Sequence, residues 1–190
     1  MPAPLIPKDE VSARLFGVFR TYGYEGATLA RISEATGLGR ASLYHYFPGG
    51  KDDMAREVLG VARGWLAQNV VAPLQSAASI HARIKTMLAN LREGYSDGSA
   101  SCVINLLGLG EADEKFHGDV NDTVELWLHA LERLLKEAGI TPARARRIAL
   151  DAVVRVEGAL VVARALHDKN VFLRTLYELE RALSGEIDRA

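Results

Sequence analysis

The chain has 190 residues, 48% of them hydrophobic and 25% charged, with a formal net charge of −1. Such a chain can bury a core without disulfides or metals, and its composition argues against intrinsic disorder. Cys102 is the only cysteine, which excludes an internal disulfide framework and a cysteine-rich zinc site and fits a reducing compartment.

The first seven residues hold Pro2, Pro4 and Pro7 and carry neither a basic nor an apolar leader region. They read as a short disordered tail with no targeting signal, and a cytoplasmic protein is expected. Val11, Leu15, Phe19 and Tyr22 then form a helical stripe that Gly23 stops. Two very short helices follow, roughly Leu29 to Ala35 and Arg40 to Phe47, isolated by Tyr24–Thr28 and Thr36–Gly39. The uncharged stretch between Arg63 and Arg83 contains Gln68, Asn69, Pro73 and Gln75, so it does not span a membrane.

Further stripes are Ile80, Ile84, Met87, Leu88, Leu91 and Tyr95; Val120, Val124, Trp127, Leu128, Leu131, Leu134 and Leu135; and Phe172, Leu176, Leu179 and Leu183. A loop separates the first two over Gly94–Ser101. Thr141 and Pro142 mark the cap and first position of a helix reaching about His167. No alternating pattern marks a strand. The expectation is an all-α protein with two domains, residues 1–50 and 51–190, divided near Pro48–Gly50 or within the next helix.

Two-turn helices are unstable alone, so neighbours must specify their packing. Ile32, Leu38, Leu43 and Phe47 have the spacing of a helix-turn-helix core, with Gly37 permitting the turn. Arg40, Ala41, Ser42, Tyr44, His45 and Tyr46 are left around the second helix. Small Ala41 and Ser42 allow close approach to a major groove, while aromatic and hydroxyl groups reach bases and phosphates. The other reading puts Tyr44 and Tyr46 into ordinary core.

The run Thr28–Ser33, then Gly37–Phe47, then Lys51 resembles the TetR family of bacterial transcriptional repressors over roughly Lys8 to Leu59. The join Phe47-Pro48-Gly49-Gly50-Lys51 resembles the LmrA/YxaF-type branch, which has an extra glycine there. The resemblance implies a homodimer whose N-terminal helix-turn-helix units read a palindromic double-stranded DNA operator. It also implies a C-terminal helical domain for dimerisation and for a small-molecule effector that releases the DNA. By position, Thr28 would cap the first motif helix and touch a phosphate. Ser42, Tyr44 and His45 would sit at the recognition face, with Tyr46 at its edge and Lys51 on a phosphate; Arg40 and Ala41 join them as DNA-binding candidates from the reading of the helix itself. From Lys8 to Lys51 there are six cations (Lys8, Arg14, Arg20, Arg31, Arg40, Lys51) and four carboxylates (Asp9, Glu10, Glu25, Glu34), a net +2 per protomer. That is a thin footprint, which predicts modest non-specific affinity and a shallow salt slope.

Apolar residues surround the helix from Pro142, so both a core and a partner should cover it, with Ala152, Ala159 and Ala163 permitting close helix approach; the competing reading is a monomer in which both faces are covered internally. Candidate effector-binding residues are Trp65, Tyr95, Cys102, Asn105, Phe116, Trp127 and Phe172, with His81 and His129 as further polar groups and core packing as the competing role of each. They suggest an apolar or aromatic effector. Cys102 has no nearby cation to acidify it and reads as buried. No cofactor or metal is expected: the five histidines lack metal-pair spacing, and neither Gly50-Lys51 nor Gly108-Leu109-Gly110 completes a phosphate-loop motif. Glu111, Asp113 and Glu114 beside His117 read as a solvated turn, leaving an all-α hydrolase as a formal possibility. A helical protein-interaction adaptor without DNA binding is the remaining alternative.

Overall fold

The computed structural model describes residues 6–190. The expected disordered tail falls mostly on residues 1–5, outside that range. Nine helices longer than one turn are described: α1 (Lys8–Gly26), α2 (Leu29–Thr36), α3 (Arg40–Tyr46), α4 (Lys51–Leu66), α5 (Ile80–Gly94), α6 (Val103–Leu107), α7 (Glu111–Glu137), α8 (Pro142–Leu166) and α9 (Asn170–Ile187). No strand occurs among the described residues, and none of their helices is long and apolar enough to cross a membrane.

The chain packs as two units. One comprises residues up to Arg63 together with Val103–Val120; the other comprises Gly64–Cys102 and Asn121–Ala190. The break after Arg63 falls within α4, the second of the two places expected for it, rather than at residue 50, and the first unit also takes in Val103–Val120, which was not expected, for a reason of area. One long and two short N-terminal helices leave apolar surface that they do not cover by themselves. Met54, Ala55, Val58 and Leu59 of α4 complete their core, as do Val103, Leu107, Ala112 and Phe116 of the α6–α7 segment; all are buried.

In the first unit α1 is not continuous. Gly23 takes φ 68°, ψ −173°, a conformation open to glycine but costly for other residues. The turn sends Tyr24 into the core and leaves Tyr22 48% exposed, correcting the expected stripe, in which Val18 rather than Tyr22 joins Val11, Leu15 and Phe19.

In the second unit α4 gives way to a π-helical turn over Ala67–Val71 and one α-turn, Ala72–Leu74. Pro73 lacks the N–H that a regular helix would use there. Ser79 caps α5 by accepting from Ala82 N–H at 3.4 Å. Thr141 holds the cap position of α8 but makes no side-chain cap hydrogen bond, so proline at the first helical position carries that start alone. The last stripe is realised in full, with Phe172, Leu176, Leu179 and Leu183 all buried. On α8, Ala152, Ala159 and Ala163 are buried inside the protomer. They are not the small residues of a partner face; Leu150, Val154, Val161, Val162 and Leu166 are the exposed ones.

Candidate nucleic-acid interface

The turn between α2 and α3 is built from backbone needs. Thr28 Oγ1 accepts from Arg31 N–H at 3.3 Å and satisfies one orphan donor of α2. Gly37 closes the helix with φ 73°, left-handed, its N–H on Ser33 carbonyl. Thr36 is buried and ties the turn on both sides: its hydroxyl donates to Ile32 carbonyl at 2.7 Å and accepts from Leu38 N–H at 3.3 Å. Arg14 reaches from α1 to Thr36 carbonyl at 2.9 Å. The sequence marks Thr36 as part of the turn but not as its tie, because a buried threonine looks like any helix residue until its neighbours are placed.

Within α3, Leu43 is fully buried, followed by Phe47 just beyond its end; Ile32 meets them from α2, and Leu38 is half-buried in the turn. Arg40, Ala41, Ser42, Tyr44 and His45 are exposed. Tyr44, 46% exposed, is therefore not core; the edge of its ring lies over Gly50, where a Cβ would come within 3.2 Å. Gly50 has φ 67°, so the extra glycine of the α3–α4 join serves both the turn and the ring.

The two residues at the edge behave differently. Tyr46 is half-buried and donates its hydroxyl to Ile6 carbonyl at 2.6 Å, pinning the start of α1. Lys51 is half-buried with its ammonium 4.2 Å from the centre of the Tyr24 ring. Other cations of this unit are also engaged: Lys8 with Glu57 at 2.9 Å, Arg14 with Glu10 at 2.5 Å, and Arg31 over the Tyr22 ring at 4.3 Å.

The effector candidates separate between the units. Trp65, Tyr95, Cys102 and Phe172 come together in the second. Tyr95 stacks edge-on between Trp65 (5.9 Å) and Phe172 (6.2 Å), and its hydroxyl donates to Cys102 Sγ at 3.5 Å. Two glycines make room: a Cβ on Gly94 would lie 2.1 Å from Trp65, and one on Gly98 2.5 Å from Phe172. Trp127 is buried in the same unit, with its indole N–H lacking a hydrogen-bond partner. Asn105 and Phe116 belong to the first unit instead, where Phe116 packs edge-on against Tyr24 at 5.5 Å. Cys102 is buried. Among the described residues, no three His, Cys, Asp or Glu side chains converge as metal ligands.

Residues 76–176 match the family described as transcriptional regulator LmrA/YxaF-like, C-terminal domain, and residues 15–58 match bacterial regulatory proteins, tetR family. The chain is similar to the HTH-type transcriptional regulator LmrA of Bacillus subtilis (strain 168): 21% identical over 160 residues, covering 82% of this chain and 85% of that protein. Its fold is similar to that of a TetR transcriptional regulator from Legionella pneumophila, with TM-score 0.81 at 18% identity over 96% of this chain and 99% of the other. A cysteine mutant of the regulator CifR, solved with a 26 bp double-strand operator DNA, shares the fold at TM-score 0.73 and 23% identity over 97% and 98% of the two chains.

Proposed function

The chain belongs to the TetR family of bacterial regulatory proteins, in its LmrA/YxaF-like branch, and is a DNA-binding transcriptional regulator; from that premise we propose that it is a homodimeric repressor released from a palindromic operator by a small molecule. The observation that carries the reading is the division of α3: Leu43 inside, and Arg40, Ala41, Ser42, Tyr44 and His45 outside. Ala41 and Ser42 let the helix approach a groove, and the remaining side chains supply donors and apolar edges for bases and phosphates. Thr28 and Lys51 stand at the two flanks as phosphate contacts, while Tyr46 touches DNA only at its exposed edge.

Dimerisation is assigned to the exposed aliphatic residues of α8, Leu150, Val154, Val161, Val162 and Leu166. The effector site is assigned to the Trp65–Tyr95–Phe172 cluster, which favours an apolar or aromatic molecule. Effector and DNA then oppose each other by equal factors, α4 being shared between the units. CifR with its operator DNA gives a family precedent for the DNA partner.

Selection of DNA from a random pool by the purified protein tests the reading. A recovered palindrome whose half-sites lie about 34 Å, or one helical turn, apart supports it. No enrichment by a folded dimer points to the adaptor alternative. With the operator in hand, tryptophan-fluorescence titration screens effectors, and a strict preference for highly charged metabolites would overturn the apolar assignment.

A further inference from the structure

Three elements of the first unit meet at one polar cluster. Tyr24, turned inward by Gly23 at the end of α1, donates its hydroxyl to Asp52 in the first turn of α4. Lys115 of α7 donates to Tyr24 Oη at 2.9 Å and to Asp52 Oδ1 at 3.2 Å. The same tyrosine ring carries two ammonium groups, Lys51 at 4.2 Å and Lys115 at 5.1 Å, and rests edge-on against buried Phe116. A second tie lies alongside, where Glu25 Oε1 accepts from Glu111 N–H at 3.2 Å and caps the start of α7.

This clasp is poorly explained as a stability device alone. The Lys115 and Asp52 side chains are 39% and 35% exposed, and exposed ion pairs contribute little to folding because water and salt screen them. What the clasp does fix is position. Asp52 follows Lys51 directly in sequence, and Tyr24 is held by its hydroxyl at one end while its face carries the Lys51 ammonium. An ammonium held by a ring face rather than by a carboxylate keeps its full charge, and the N–H donors turned away from the ring, for a phosphate.

We propose that Lys115 is a positioning residue for DNA binding: through Tyr24 and Asp52 it holds the Lys51 ammonium where an operator phosphate docks, so that the start of α7 sets operator affinity. The inference rests on the reading of Lys51 as a phosphate contact. It extends the coupling route beyond α4. Helix α7 begins in this unit, while its residues from Asn121 onward belong to the second. A movement of α7 that withdraws Lys115 loosens Tyr24, frees Lys51 to wander, and weakens the DNA complex with no change in α3.

A double-mutant cycle on the full-length protein tests it, with operator Kd read by fluorescence anisotropy. Lys51→Met should weaken binding about tenfold and lower the salt slope by about one, the signature of one lost phosphate contact. Lys115→Met should weaken it about fivefold, with Lys115→Arg restoring most of the loss. The double variant should bind about as weakly as Lys51→Met alone, because the second change removes support from a group already absent. Tyr24→Phe, which changes no charge, should reproduce part of the Lys115→Met loss. Additive losses in the double variant, about fiftyfold, overturn the proposal, since Lys115 would then act by its own charge. An unaltered Kd for Lys51→Met, with wild type bound tightly, fails the phosphate reading and the proposal with it; wild type binding no operator fails the DNA reading itself. Melting curves for each variant separate these losses from unfolding.

Discussion

Helix α3 has 7 residues and exposes hydroxyl, imidazole and guanidinium groups, whereas α8 has 25 residues and exposes a row of aliphatic ones. Both have one face in their unit's core, so burial alone does not separate them. The difference is in what the outer face can recognise. Directional donors and acceptors suit base edges and phosphates, which differ from site to site. Aliphatic groups discriminate by shape and area and suit a second helix surface. Length follows from the same demand: a reading helix needs only the few base pairs that it spans, while an apolar contact needs area. The short helix also depends on its neighbours for orientation, which is why its anchors Leu43 and Phe47 are so fully enclosed.

The largest effect should come from stripping the directional groups. Tyr44→Ala with His45→Ala should weaken operator binding about a hundredfold or more, since each good base contact is worth roughly 1–3 kcal/mol. The melting temperature should move by no more than about 2 °C, as for other surface changes. A collapse of the melting curve would instead show that these rings support the fold. On the other face, Val154→Asp puts a carboxylate on a side chain that is 59% exposed. Sedimentation velocity should then find the dissociation constant of the proposed dimer raised about tenfold or more, because charge at an interface centre is costly. An unchanged sedimentation coefficient would remove this face from the interface.

Much of that comparison was legible in the sequence. The α9 stripe, the Gly37 turn, the Thr28 cap and the inward set of Ile32, Leu43 and Phe47 all follow from spacing and local backbone chemistry. The misplaced features depend on contacts distant in sequence. Tyr22 fits the α1 period, but Gly23 ends the period one residue later and substitutes Tyr24. Phe116 has the composition of an effector-site residue, yet its partner is Tyr24, and no local pattern links positions so far apart. The assignment of Val103–Val120 to the first unit was hidden for the same reason: area shortage in one segment does not name the segment that relieves it. Tyr46 and Lys51 were visible as polar residues of the motif, while their ties to Ile6 carbonyl and the Tyr24 ring required the fold.

Smaller effects sharpen the contrast between packed and open backbone. Gly94→Ala forces a methyl to within 2.1 Å of Trp65, and should cost about 1–3 kcal/mol as an overpacked site. Gly64→Ala, with nothing within 4 Å of the new carbon, should be neutral or stabilise α4 by up to about 1 kcal/mol through helix propensity. Thermal melts that rank the two the other way would show that the Trp65 ring moves aside freely. Thr28→Ala should cost about 1 kcal/mol by leaving Arg31 N–H uncapped. Any larger loss of operator affinity than of stability would then measure a phosphate contact by the same hydroxyl.

The smallest expected effect concerns the clasp and pH. Asp52 is held below its usual value of 3.8, first by the hydrogen bond from Tyr24 and then by that from Lys115. What its ionised form contributes is present above that value and is lost as pH falls through the lowered one. Burial, with the hydrogen bond to Asp52, holds Tyr24 above 10.0. The hydrogen bonds to Tyr24 and Asp52 hold Lys115 above 10.5. Those two contributions are present below the usual values and are lost only as pH rises through the raised ones. From about pH 5 to about pH 9 no member of the clasp changes charge, so the ratio of operator Kd values for Lys115→Met and wild type should stay constant within about twofold at fixed salt. Dividing by wild type cancels any titration on the recognition face itself. A ratio that drifts across this range would place a titrating group between α7 and Lys51, and the link would then be a conditional one.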